Sequence, residues 1–333
     1  MQYVGLQTQQ ARNNFRSVLL LCLFPGLVIL LTFLFSVLLT FFVSAKTEYN
    51  YAGYDYMVQP SIWEQSLQTV KHLAPFLLGG IAIWFLIAYF SNTAIIRSAT
   101  GSRPLERKEN KRVYNLVENL CMAQGMQMPK INLIEDDSLN AFASGINNNT
   151  FTISLSRGII DKLDDEELEA VIAHELAHIR NRDVRLLIVS IVFVGIFAML
   201  AQIAITSLRG SVFVRSRDRN GGGVIIIILI ALVVAAIGYF FASLMRFTIS
   251  RNREYMADAA SAEMTRRPEA LASALRKISQ DPEIEAVTRD DVAQLFIEHP
   301  HVKKEGNRLF AGISGLFDTH PPIEKRIAFL EQL

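Results

Sequence analysis

The stretch Asp164–Arg185 reads DDEELEAVIAHELAHIRNRDVR. It contains His174-Glu175-Leu176-Ala177-His178, and on a helix residues four apart lie on one face, one turn apart. His174 and His178 can thus offer two imidazoles to a single metal ion, with Glu175 projecting close to the same point. Zinc accepts neutral imidazole, and a catalytic zinc site keeps one position open for water. A carboxylate beside that water can take its proton and pass it to a leaving amine. The spacing is that of a zinc-dependent peptidase. The chain has six histidines, so chance placement of the motif has odds on the order of one percent.

The neighbouring residues supply the helix that the motif needs. Asp164 is the expected N-cap, with Glu167 three residues on as its capping-box partner. Asp165, Glu166 and Glu167 place negative charge on the first turn, where the helix dipole favours it. Leu168, Val171, Ile172, Leu176 and Ile179 recur at three- and four-residue spacing and form a face to bury. Ala173 and Ala177 leave room for a neighbouring backbone.

The chain is 51% hydrophobic, and its apolar residues collect in blocks, which points to a membrane protein. A net charge of +1 gives no reason to expect nucleic acid. Cys22 and Cys121 are too far apart and too few for a disulfide framework or a thiolate metal cluster; both read as inert buried thiols.

Residues 1–16 form a polar tail. Ser17–Val43 runs almost without charge and is long enough to cross a bilayer of roughly 30 Å, with Pro25 and Gly26 expected to bend or interrupt it. Residues 46–72 are polar and rich in tyrosine, and 73–96 is a second span. The basic residues Arg97, Arg103, Arg107, Lys108, Lys111 and Arg112 follow at once, and the composition to residue 185 is that of a soluble domain. There Val113–Met122 has helical periodicity, while Ile131–Ile134 and Phe151–Leu155 read as short strands, with Asn147–Asn149 as the turn between them. Residues 186–208 form a third span with no Pro or Gly before it, so motif helix and span can form one continuous rod. A fourth span covers 224–245. Residues 246–333 are soluble again, with helices expected over Glu254–Ala262 and from Pro268.

A hairpin of spans three and four returns the chain to the membrane side it left. Glu254 therefore emerges on the same membrane face as His174 and His178, where it can act as a third ligand. Asp258, one turn on, can accept the second ring N–H of a ligand histidine. A solvated helix face explains both acidic residues equally well at this point.

His174–His178, the run RNREYMAD ending at Asp258, and Asp318-Thr-His-Pro-Pro-Ile-Glu-Lys-Arg326 together resemble the HtpX-type membrane zinc metalloproteases, relatives of the CAAX prenyl proteases. Asn140–Gly145 and Thr100–Leu105 resemble them too, so the likeness covers roughly residues 95–333. Four spans rather than about seven separate the chain from the prenyl-protease branch. The resemblance implies a gluzincin-like site with His174, His178 and Glu254 on one zinc ion and Glu175 as general base. It implies a short sheet beside the active-site helix and a site facing the cytoplasm. The expected fold is a mainly α membrane protein, with four transmembrane helices and a zincin-like α+β catalytic domain assembled from residues 97–185 and 246–333. Its expected partners are polypeptide substrates and the lipid bilayer of a bacterial cytoplasmic membrane, and its expected task is membrane protein quality control.

The resemblance also brings His320 to the active site, to bind substrate or stabilise an oxyanion; a capping histidine ahead of Pro321-Pro322 is the equal alternative. Asn140–Gly145 can border an edge strand on which an extended peptide pairs, or serve as a plain structural turn. His299 and His301 read as loop residues with no second metal. A non-catalytic binder with a structural zinc site is the competing function, against which an intact Glu175 argues. A motif inside the bilayer is excluded by the charge density of residues 161–185.

Overall fold

The computed structural model describes residues 6–47, 60–214, 221–247, 252–282, 284, 295–297 and 321–333. His299, His301, His320 and the tyrosines at 49–56 lie outside the described residues.

The first two apolar blocks fold as α1 (Leu6–Thr47) and α2 (Ile62–Thr100). Each is long and apolar enough to cross a membrane, over Asn14–Phe42 and Ile62–Thr100. Phe15, Leu30, Phe76 and Phe90 stand more than half exposed, an arrangement suited to an apolar solvent; Cys22, expected to be buried, is exposed on α1, whereas Cys121 is buried. Pro25 does not interrupt α1, nor Pro75 α2. Within a bilayer the helix remains the way to satisfy the backbone, so proline is tolerated there. Helix α2 starts eleven residues before the expected span, because Ser61 and Glu64 form a capping pair. The Ser61 N–H donates to Glu64 Oε2 at 2.9 Å, and the Glu64 N–H to Ser61 Oγ at 3.3 Å.

The soluble composition after α2 becomes β1 (Ser102–Pro104), α3 (Lys111–Gln124), β2 (Lys130–Ile134), β3 (Ala141–Ser144), β4 (Thr152–Ser156) and α4 (Arg157–Lys162). The strands form one sheet in the order β1-β2-β4-β3. Strands β2 and β4 are parallel, with Ile131 opposite Ile153 and Leu133 opposite Leu155. Parallel neighbours cannot be joined by a tight turn, so the turn at Asn147–Asn149 does not link the two strands read from the sequence. It closes a hairpin between β3 and β4 instead. Gly145 makes that hairpin possible: its φ is 112°, and a Cβ there would collide with the Thr150 carbonyl.

The motif helix is α5 (Asp165–Asn181). The capping box forms as expected: Asp164 accepts from the Glu167 N–H at 2.9 Å, and Glu167 from the Asp164 N–H at 3.1 Å. Leu168, Val171, Ile172 and Leu176 are fully buried, each worth about 1.5–3 kcal/mol of transfer free energy. Arg112 holds the approach to the helix, donating to the carbonyls of Ile160 and Leu163 and pairing with Asp165.

Helix α5 and the following apolar helix, α6 (Asp183–Val214), are not one rod. Arg182 between them is left-handed, with φ 60° and ψ 24°, and its N–H closes α5 on the His178 carbonyl. Helix α6 and then α7 (Gly221–Phe247) contain 186–208 and 224–245 without a break. After them come α8 (Asn252–Thr265), α9 (Pro268–Ile278, proline in the first turn) and α10 (Ile323–Leu330).

The chain divides into two compact units. One takes the described residues of 1–17, 89–191 and 246–333, and the other those of 18–88 and 192–245. In the first, α5 is central, packed against β3, β4, α3, α8 and α9. Buried Glu167 ties it to α9 by accepting from Ser273 and Lys277. In the second, parts of α1, α2, α6 and α7 surround a largely apolar cavity of about 630 Å³, lined among others by Leu31, Trp84, Phe197 and Ala235.

Candidate active site

Helix α8 lies against α5 through alanines: Ala177 packs with Ala257 and Ala260. Side chains this small let the two backbones approach closely. The same contact turns Glu254 and Asp258, one helical turn apart, toward the histidines. His174, Glu175, Glu254 and Asp258 are all buried, and His178 is largely so.

His174 Nε2 and His178 Nε2 stand 3.2 Å apart. Glu254 Oε2 is 3.7 Å from the first, and Glu254 Oε1 is 3.7 Å from the second. One ligand atom from each of the three residues lies within 4.8 Å of the others. Each histidine has a carboxylate at its far nitrogen. His174 Nδ1 is 3.0 Å from Asp258 Oδ1, off the line of a regular ring N–H hydrogen bond. His178 Nδ1 is 3.2 Å from Asp183 Oδ2. These carboxylates favour the ring proton on Nδ1 and leave both Nε2 lone pairs facing inward.

Three electron-pair donors thus converge in a buried space, an arrangement that repels itself without positive charge. The cluster takes up that charge as a proton on His174 or as a metal ion, so the residues present fit a metal. Burial alone would lower the His174 pKa, but Asp258 and Glu254 outweigh it and raise the ring to about 9. Glu175 also rises, chiefly because burial disfavours its charge, although both histidines pull the other way. A carboxylate held above its ordinary range is a better proton acceptor at neutral pH.

Two participants were missed from the sequence. Arg326 on α10 is fully buried and grips Asp258 with two nitrogens, Nη2 to Oδ1 at 2.7 Å and Nε to Oδ2 at 3.0 Å. Its Nη2 is 3.4 Å from His174 Nε2 and its Nη1 3.8 Å from Glu254. Burial would raise the Asp258 carboxyl, yet the Arg326 charge and the His174 contact hold it below its ordinary value. Arg326 closes the segment Asp318–Arg326, so the motif named the residue but not its partner. The other is Asp183, brought to His178 by the left-handed turn at Arg182 and paired with Arg253 as well. Nothing in the sequence marks that turn. Of the remaining candidates, Asn140–Gly145 folds largely as β3, and His320 falls outside the described residues.

Two imidazoles, a carboxylate and a second buried glutamate are what metal-dependent peptide hydrolysis requires, which sets the class as a metallopeptidase. Comparison with known proteins narrows it. The pattern of Peptidase family M48 matches residues 107–333. The chain is 64% identical over 332 residues to a "Protease HtpX homolog" from Bacteroides fragilis (strain YCH46), covering 100% of both. It is 41% identical over 261 residues to a protein of that name from Dictyoglomus thermophilum, covering 76% of this chain and 82% of that one. The crystal structure of S. mikatae Ste24p aligns over 78% of this chain and 58% of its own, at 18% identity and a TM-score of 0.44. The chain belongs to peptidase family M48.

Proposed function

We propose that this metallopeptidase is a membrane-anchored zinc endopeptidase that cuts membrane or misfolded proteins at the cytoplasmic face of a bacterial cytoplasmic membrane, as part of membrane protein quality control. The observation that carries the reading is the convergence of His174, His178 and Glu254 beside buried Glu175. Those three residues would hold the ion, and zinc bound there supplies Lewis acidity toward water and the scissile carbonyl. Glu175 accepts the proton of the attacking water and returns it to the leaving amine. Asp258 and Asp183 hold the two rings in the tautomer that points Nε2 inward. Arg326 keeps Asp258 ionised for that purpose. His320 is a candidate to touch substrate or oxyanion.

The direct test is hydrolysis of an unfolded protein by detergent-purified enzyme. Cleavage should stop with a zinc chelator and return when zinc is restored. Cleavage unaffected by full metal removal would take the metal out of the reaction. Asp183→Asn should lower zinc affinity about 10–100-fold, the usual cost of losing a carboxylate behind a ligand histidine, measured by chelator competition. An unchanged affinity would leave Asp183 a purely structural partner of Arg253.

Crossings by α1, α2, α6 and α7 are proposed, with both termini and the metal site cytoplasmic. The six Lys/Arg of 97–112 support this orientation, since positive residues stay inside. Arg209, Arg215, Arg217 and Arg219 oppose it, and a hairpin crossing the bilayer incompletely would reconcile the two. Single cysteines introduced at 97–112 should resist an impermeant maleimide in intact cells. Labelling there would invert the topology.

A further inference from the structure

Strand β3 is the last of the sheet, with β4 on one side. A strand edge is a ready template for another extended chain. Here the free edge is taken by the protein's own Leu295-Phe296-Ile297. Phe296 bridges Phe142 in antiparallel register, and the Ile297 N–H donates to the Ala141 carbonyl at 2.8 Å. That pattern makes Phe142 and Phe296 a non-hydrogen-bonded pair, the kind whose side chains come closest. Their rings accordingly meet edge to face, with centroids 4.7 Å apart. All three residues of the segment are buried.

The same segment reaches the ligand cluster. The Ile297 carbonyl accepts from Arg326 Nη1 at 2.9 Å, and that nitrogen lies 3.8 Å from Glu254 Oε2. Strand β3 itself packs against α5. An extended polypeptide presented to the Glu175 helix would use this edge in this manner, taking affinity from backbone bonds and selectivity from alternate side-chain seats.

We propose that Leu295–Ile297 occupies the seat of the substrate strand. The chain is then its own competing ligand, and the preferred substrate is an extended segment with an aromatic side chain opposite Phe142. This rests on the peptidase reading above. The apparent affinity for substrate is reduced by the fraction of molecules whose edge is open.

The test uses full-length, metal-loaded Glu175→Gln protein, so that bound peptide is not cut. A fluorescent peptide carrying Leu-Phe-Ile is titrated and its anisotropy followed. Adding Phe296→Gly should tighten binding at least about tenfold, as expected if the segment is seated in nine molecules of ten. Replacing the peptide's phenylalanine with aspartate should weaken it by a similar factor. Unchanged affinity in a Phe296→Gly protein that melts like its parent overturns the proposal.

A second variant covers the case in which Phe296→Gly does not fold. Opposed residues of such a pair have Cα atoms about 4.5 Å apart, within disulfide reach. Phe142→Cys/Phe296→Cys, made with Cys22→Ser, should therefore cross-link on oxidation and lose peptide binding until reduced. Equal binding in the two redox forms, or failure of the pair to cross-link, overturns the proposal as well. These readouts need no hydrolysis. Failure of the peptidase reading would instead appear as a metal-loaded parent that cuts nothing.

Discussion

Glu254→Ala should yield a folded protein that has lost its metal and, with it, its activity. A catalytic zinc site takes three protein ligands, and in the proposed site α5 would supply two of them. Glu166, Glu167 and Glu169 precede the motif on its own helix; Glu167 is committed to the capping box and Lys277. Glu254 is the carboxylate whose oxygens stand 3.7 Å from both Nε2 atoms. Its removal would leave two imidazoles, too few to retain the ion through purification. Arg326 keeps its grip on Asp258 in the variant, so the packing of α8 and α10 survives. Metal analysis and circular dichroism on one sample separate metal loss from unfolding. One zinc per chain at parental affinity would move the third ligand elsewhere, with His320 the next residue to test.

Glu175→Gln should have a different signature, keeping the metal while losing hydrolysis at least 10²-fold, the scale of general-base loss. Glutamine preserves the shape of a fully enclosed side chain and removes its ability to accept a proton. It also removes an acid whose burial is costly when charged, so thermal stability should not fall. Activity near that of the parent would exclude Glu175 from the chemistry. Together the two variants tell a metal ligand from a base, because only one changes the metal content.

What the sequence revealed depended on how local the cause was. The α5 capping box, the proline start of α9 and the two β-branched strands are written in neighbouring residues, and they form. Strand β3 reads Ala-Phe-Ala-Ser, without β-branched residues and buried on both faces, so no alternation betrays it. Strand β1 is three residues long and ends in proline, too short to register. The left-handed Arg182 has no glycine or asparagine to announce it; its cost is met by tertiary contacts that bring Asp183 to His178. Arg326 stood in a recognised motif, yet its partner lies on another helix and only packing could reveal it. His174, Glu175 and His178 were legible because one helical turn fixes their geometry. Glu254 needed the topology of an intervening hairpin.

Residues 192–245 divide the unit that holds His174 and Glu254 along the chain, and translation reads a chain in order. Helix α5 leaves the ribosome before residues 192–245, whereas α8 follows them. At about 5–20 residues per second, roughly 4–15 seconds pass between synthesis of His178 and synthesis of Glu254. A nascent chain in that interval carries His174, Glu175 and His178 but not Glu254, Asp258 or Arg326. On the site proposed above, it would not yet be able to hydrolyse a peptide bond. Making residues 192–245 would then act as a timer on the enzyme's birth, with proteolysis starting only after the segment beyond them has folded back.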